Sequence, residues 1–91
     1  MEIELTVAAK NDLEEWKKSG NSSALKRIKA LLASIIETPY EGIGKPEALK
    51  YQLIGLWSRR INQEDRLVYE IKEEVIVVYS LKGHYNKKRS N

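Results

Sequence analysis

The chain predicts an α+β fold: an antiparallel β-sheet with two N-terminal helices packed on one face, in the order β-α-α-β-β-β-β. Three observations predict it. A polar–apolar alternation comes first, a strongly amphipathic stretch of helical period follows, and the second half is made of short apolar or β-branched runs separated by turn residues. At 91 residues the chain is one domain, and such a chain buries about 60–65% of the surface its unfolded form exposes.

Residues 2–7 (EIELTV) alternate as a half-buried strand does. A first helix is expected over residues 8–18, with Leu13 and Trp16 on its buried stripe. Ser19-Gly20 stops it, and Asn21 or Ser22 can cap the next helix by accepting a hydrogen bond from a free amide. In that second helix Leu25, Ile28, Leu32 and Ile35 recur at three- and four-residue steps. Leu31 and Ile36 widen the stripe, and Lys26, Arg27 and Lys29 lie off it. Thr38-Pro39 ends the helix, because the residue before a proline avoids helical angles.

Residues 39–47 (PYEGIGKPE) read as a loop rich in glycine and proline. Strands are expected over residues 49–53, 56–61, 66–71 and 75–81, the last apolar enough to be central. Asn62-Gln63-Glu64-Asp65 is a plausible hairpin turn. A four-residue turn there would pair Ile61 with Arg66 and Arg59 with Val68. Arg59 and Arg66 would then share a face, with Arg60 on the other. Two neighbouring guanidinium groups suit a phosphate between them, unless Glu64, Asp65 or Glu70 neutralises them. The basic run NKKRSN, residues 86–91, reads as a short tail after a single domain of residues 1–85.

Composition narrows the chemistry. Apolar residues make up 42% and charged residues 32%, as expected of a globular domain with a wet surface. There is no cysteine, which excludes disulfides and thiolate chemistry, and one histidine, His84, which excludes a multi-histidine zinc site. No metal and no cofactor are expected. Glutamates stand where a secretion signal would be basic, and no apolar run is long enough to cross a membrane, so a cytoplasmic protein is expected. The net charge is +3, and its excess lies in the second half: residues 1–45 hold seven basic and seven acidic side chains, residues 46–91 nine and six. A one-sided excess favours a polyanionic partner. The second half also holds Glu47, Lys50, Arg59, Arg60, Arg66, His84 and Tyr85. Taken singly, each is an ordinary surface or packing residue.

Taken together they carry a resemblance. The segments TPYEGIGKPEALKYQL at 38–53, GLWSRRINQEDRLVYEI at 55–71 and GHY at 83–85 resemble the YoeB branch of the RelE toxins. The family pattern is TP-(F/Y)-EG-x-GKPE-x-LK, then G-(F/L)-WSRRI, then RLVY, and a final HY. The first 37 residues match only in character. The resemblance implies a compact microbial ribonuclease fold and cleavage of mRNA in the A site of the 70S ribosome. It also implies a YefM-like antitoxin that inhibits the toxin, contact with operator DNA only through that antitoxin, and pairing into homodimers. It assigns Glu47 as general base, Arg66 as phosphate support, His84 as general acid and Tyr85 as an orienting residue. Lys50, Arg59 and Arg60 become RNA contacts. Two features depart from the pattern: the added tail, and Gly83 where relatives also carry bulkier residues, an exchange expected to loosen the placement of the histidine.

The chemistry is coherent. RNA carries its own nucleophile, the 2′-hydroxyl, so cleavage needs a base, an acid and positive charge on the phosphate between them. A carboxylate, an imidazole and a guanidinium supply one of each without a metal. The rival readings are a non-catalytic, gyrase-directed ParE-like toxin and an inactive co-repressor that only binds its antitoxin. The joint presence of Glu47, Arg66 and His84 argues against the first, and the lack of a helix-turn-helix pattern argues against independent DNA binding.

Overall fold

A computed structural model describes residues 1–83 and is the structure discussed below; residues 84–91, including His84 and Tyr85, lie outside the described residues. The elements follow in the expected order: β1 (Glu2–Leu5), α1 (Val7–Ser19), α2 (Ser22–Glu37), β2 (Glu47–Ala48), β3 (Trp57–Arg60), β4 (Arg66–Lys72) and β5 (Val75–Ser80). Between β2 and β3, Tyr51–Leu53 forms one 3-10 turn instead of the expected strand over 49–53.

The helix boundaries have local causes. Thr6 leaves the first strand and caps α1, its Oγ1 accepting a hydrogen bond from the Ala9 amide at 3.1 Å. Gly20, in the left-handed region at φ 70°, ends α1 by returning its amide to the Lys17 carbonyl. Of the two capping candidates for α2, Asn21 does the work, its Oδ1 accepting from the Ala24 amide at 3.0 Å. The α2 stripe is buried at Ala24, Ile28, Leu31 and Ile35. These residues join Ala9 and Trp16 of α1 and Leu67, Tyr69, Ile76 and Val78 of the sheet in one apolar core. Both helices therefore cover the same face. Among the described residues no helix is long and apolar enough to cross a membrane.

The five strands run in the order β1-β5-β4-β3-β2. The central strand is β4; β5, expected to be central, is an interior strand one place from the β1 edge, and the sheet is not wholly antiparallel: β1 lies parallel to β5, with Glu2 opposite Val75 and Leu5 opposite Val78. The reason is topological. The chain leaves β1 straight into the two helices, so β1 has no hairpin partner and joins the sheet beside the last strand by a crossover. The direction of that pairing has no local sequence signal.

A second difference matters more for the site. The β3–β4 hairpin closes on Arg60 opposite Arg66, with Arg59 opposite Leu67 and Ser58 opposite Val68. Five residues, 61–65, form the connection instead of four. The Ile61 and Asn62 amides both donate to the Asp65 carbonyl, at 2.9 and 3.3 Å. The Asn62 Oδ1 accepts from the Glu64 and Asp65 amides at 2.8 and 2.7 Å, the side-chain turn that asparagine favours. Buried Ile61 belongs to the core, which draws it out of the strand ladder. A one-residue change of register moves every side chain to the opposite face, so Arg66 shares its face with Arg60 and not with Arg59.

Candidate active-site face

The sheet face away from the helices carries Glu47, Ser58, Arg60 and Arg66. Glu47 stands opposite Ser58 across β2 and β3, and Arg60 opposite Arg66 across β3 and β4. Arg66 is the diagonal neighbour of Ser58, within reach of a long side chain. Its Nη1 donates to Ser58 Oγ at 3.2 Å and to Glu47 Oε1 at 3.3 Å. The side chains of Arg66 and Glu47 are 31% and 62% exposed. An ion pair this wet stabilises the fold by at most about 1 kcal/mol, so it is easily exchanged for a competing anion on the guanidinium. Ser58 is fully buried and fixes one edge of the Arg66 fork from below. It went unnoticed in the sequence, although in WSRR the alternation puts it on the same face as Arg60.

Arg60 is partly exposed, and its side chain makes no hydrogen bond or ion pair with another described residue. Lys50 is exposed just before the 3-10 turn, three residues beyond Glu47, and is likewise unpaired among the described residues. The structure therefore brings Glu47 and Arg66 into contact, puts Arg60 on their face and leaves Lys50 on the adjoining turn. Neither Glu64, Asp65 nor Glu70 pairs with Arg66.

Arg59 corrects the sequence expectation. It is 0% exposed and points into the helix-covered side, so it cannot be an RNA contact. All five of its N–H groups are used. Nε donates to Tyr69 Oη at 3.2 Å, Nη1 to Ser34 Oγ at 2.7 Å and the Ile43 carbonyl at 3.2 Å, and Nη2 to the Thr38 and Glu41 carbonyls at 2.7 and 2.8 Å. No carboxylate is among these partners. The charge is met instead by the carbonyl end of α2, which Thr38 terminates and whose last turn contains no basic residue of its own. A cation there interacts favourably with the helix dipole.

The loop of residues 39–47 wraps this guanidinium, which explains its glycines. Gly42 (φ 121°) would place a Cβ 2.5 Å from Ser34 Oγ and 3.1 Å from Arg59 Nη1, and Gly44 (φ 85°) one 2.6 Å from Leu31 Cδ2. Gly44 also accepts the Arg60 amide at 2.7 Å, so the loop is stitched to β3 just before it delivers Glu47 to β2.

Tyr69 completes the cluster, donating its hydroxyl proton to the Pro39 carbonyl at 2.6 Å. Burial pushes its phenol pKa above the usual value, and the opposing effect of Arg59 is smaller. The unfolded chain thus releases this proton first. Stability from Tyr69 is complete below about pH 10 and is lost as pH rises from there through the folded-state pKa. Tyr69→Phe is expected to flatten the fall of stability above pH 10 and to cost about 1–3 kcal/mol at pH 7 through the orphaned Pro39 carbonyl and Arg59 Nε. Urea melts of both proteins at pH 7 to 11 check this, and parallel alkaline arms would refute it.

Comparison with known proteins accords with this arrangement. Residues 5–85 match the model of the YoeB-like toxins of bacterial type II toxin–antitoxin systems. The chain is 46% identical over 72 residues to Toxin YoeB of Synechocystis, spanning 79% of this chain and 84% of the relative. It is 40% identical to Toxin YoeB of Streptomyces coelicolor, spanning 93% and 100%. Among solved structures, a YoeB/ParE toxin from Agrobacterium tumefaciens superposes with a TM-score of 0.88 at 33% identity, covering 93% of this chain and 100% of the other. YoeB in the heterotetrameric YoeB–YefM complex from Staphylococcus aureus gives 0.85 at 41% identity, covering 93% and 98%. The architecture, two helices backing a mostly antiparallel five-stranded sheet, is that of the RelE-like toxins. The chain belongs to the YoeB-like toxin family of bacterial type II toxin–antitoxin systems.

Proposed function

We propose that this toxin is a metal-independent endoribonuclease that cuts mRNA in the ribosomal A site. The observation that supports it most is the contact of Glu47 with Arg66, 3.3 Å apart, on the sheet face that the helices leave uncovered. An RNA phosphate that takes the place of Glu47 on the Arg66 guanidinium leaves the carboxylate beside the adjacent ribose. Glu47 removes the 2′-hydroxyl proton, the 2′-oxygen attacks phosphorus, and the bond to the 5′-oxygen breaks. His84 protonates that oxygen, giving a 2′,3′-cyclic phosphate and a 5′-hydroxyl end. Arg66, held by Ser58, bears the charge that grows on the phosphate. Tyr85 orients the site, and Arg60 and Lys50, both unpaired among the described residues, bind the flanking backbone. Arg59 has no part in this reading.

The natural inhibitor is a YefM-like antitoxin, as in the Staphylococcus aureus YoeB–YefM complexes, and operator DNA is contacted through it. A homodimer is the expected free form, since a YoeB dimer from the same organism has this fold. The site of action is the cytoplasm. Expression without antitoxin is expected to arrest growth, and Glu47→Gln or His84→Gln each to relieve the arrest. Mapped 5′-hydroxyl ends should disappear in both variants. Arrest at wild-type strength by both would remove the catalytic assignment.

A further inference from the structure

Among the described residues, Lys45, Tyr51, Glu73 and Glu74 sit at positive φ without being glycine, a region that bulky side chains rarely enter. The sheet explains Glu73 and Glu74. They form the two-residue connection between β4 and β5, closed by Lys72 opposite Val75, and tight hairpins of this kind take positive φ at both central positions. Lys45 and Tyr51, at φ 54° and 59°, have no such cause. They bracket β2, one before Glu47 and the other after Lys50.

Tyr51 departs furthest from expectation. It is 86% exposed, and its side chain makes no hydrogen bond or ring contact with another described residue. Packing therefore does not offset the cost of its backbone conformation. The turn itself is closed by backbone hydrogen bonds. The Leu49 amide donates to the Leu56 carbonyl at 2.9 Å, the Leu53 amide to the Lys50 carbonyl at 3.0 Å and the Ile54 amide to the Tyr51 carbonyl at 3.2 Å. The ring is thus held out into solvent by a turn that is tied to itself. Its surroundings point to one kind of occupant. Lys45 and Lys50 are exposed, and neither forms an ion pair with a described residue. Lys45 follows Gly44, whose carbonyl takes the Arg60 amide at 2.7 Å, so it adjoins the strand that carries Arg60. Cations on both sides of an uncovered ring suit a chain that carries phosphates and flat π-faces, which is single-stranded RNA. An apolar partner would have to desolvate the same cations without compensation.

We propose that Tyr51 is a base-stacking platform: its ring packs on a nucleobase next to the cleaved linkage, while Lys45 and Lys50 hold the RNA backbone on either side. The inference rests on the nuclease reading for the identity of the strand and adds the residue that grips a base. Tyr51 takes no part in the proton transfers. Its strained backbone is the cost of presenting the ring already in place, so that little freedom is lost when the base arrives.

The probe is a short 2′-O-methyl RNA, which lacks the nucleophile and cannot be cut, used beside an abasic strand with the same phosphates. Tyr51→Ala is expected to weaken binding of the 2′-O-methyl RNA about 5- to 150-fold, the range for loss of one stacked base, and to leave binding of the abasic strand within about twofold of wild type. Tyr51→Phe and Tyr51→Trp keep a ring and should bind as wild type does. Tyr51→Gly separates the platform from the scaffold. Glycine relieves the backbone, so this variant should melt no lower than wild type and yet bind as weakly as Tyr51→Ala. The Tyr51 ring protons of wild type should move upfield with the 2′-O-methyl RNA and stay in place with the abasic strand. Lys45→Ala should flatten the log–log salt slope of binding by about 0.7, and Tyr51→Ala should not. Three results each overturn the platform: equal affinity of wild type and Tyr51→Ala for the 2′-O-methyl RNA, an equal loss with the abasic strand, or a change of oligomeric state in Tyr51→Ala, which would make the ring a contact between copies. None of these measurements needs cleavage. Base-dependent binding lost in Tyr51→Ala, in a protein that cuts no RNA, would leave the platform standing while the nuclease reading fell. Unaltered binding and a wild-type cleavage rate in Tyr51→Ala would do the reverse.

Discussion

Replacement of Arg59 by alanine is expected to lower the thermal midpoint by at least about 12 °C, because removing one partner of a buried charged network costs about 3–5 kcal/mol and each kcal/mol shifts a domain this small by about 4–8 °C. The change strands the Thr38, Glu41 and Ile43 carbonyls, Ser34 Oγ and Tyr69 Oη, all of which now accept from one guanidinium. It also opens a void under Gly42 and Gly44, which have no side chains to fill it. A small domain has only about 5–15 kcal/mol of stability in total, so the variant should be partly unfolded at 37 °C. Arg59→Lys keeps the charge but offers three donors for five acceptors, and is expected to lose more than half as much. Circular dichroism melts provide the check. An Arg59→Ala melt within about 3 °C of wild type would show that the loop of residues 39–47 holds itself, which the stated energies do not allow.

Arg66→Ala should behave in the opposite way. Its ion pair with Glu47 is partly exposed and its hydrogen bond to Ser58 is a single one, so the stability lost is about 1 kcal/mol. The rate of mRNA cleavage on the ribosome should nevertheless fall by about 100- to 1,000-fold, the usual loss when one preorganised donor to a developing oxyanion is removed. Arg66→Lys keeps a cation without the fork and should recover only part of it. Binding of a non-cleavable RNA should weaken less than the rate, since the guanidinium is needed most where charge develops. Wild-type cleavage by Arg66→Ala would sink the proposed mechanism. The two arginines thus do different work: Arg59 is buried and holds the loop that carries Glu47, whereas Arg66 lies partly exposed on the outer face, where the proposed mechanism needs it.

Much of this was legible without coordinates. The α2 stripe, its capping asparagine, the proline stop and the apolar last strand follow from local rules, and Gly42 and Gly44 marked the loop correctly. The segments with GKPE, WSRR and RLVY picked out Glu47 and Arg66 before their contact was visible. Two misreadings came from one cause. The Asn62 side chain and buried Ile61 lengthen the turn by a residue, and that single step exchanges Arg59 for Arg60 on the outer face. Ser58 was missed for the same reason, since its partnership with Arg66 exists only in the observed register.

The amino-acid order by itself determined the two helices, the first strand and the three long strands of the second half, because these depend on neighbours within a turn or two of chain; the short strand expected over residues 49–53 it misplaced. Tertiary structure alone decided which arginine is buried, that β1 enters the sheet parallel to β5, and that Asp12 and Trp16 reach across to hold Leu81. Each of these outcomes joins groups distant in the chain, and their energies depend on burial and on unmet hydrogen bonds that no short window of residues contains.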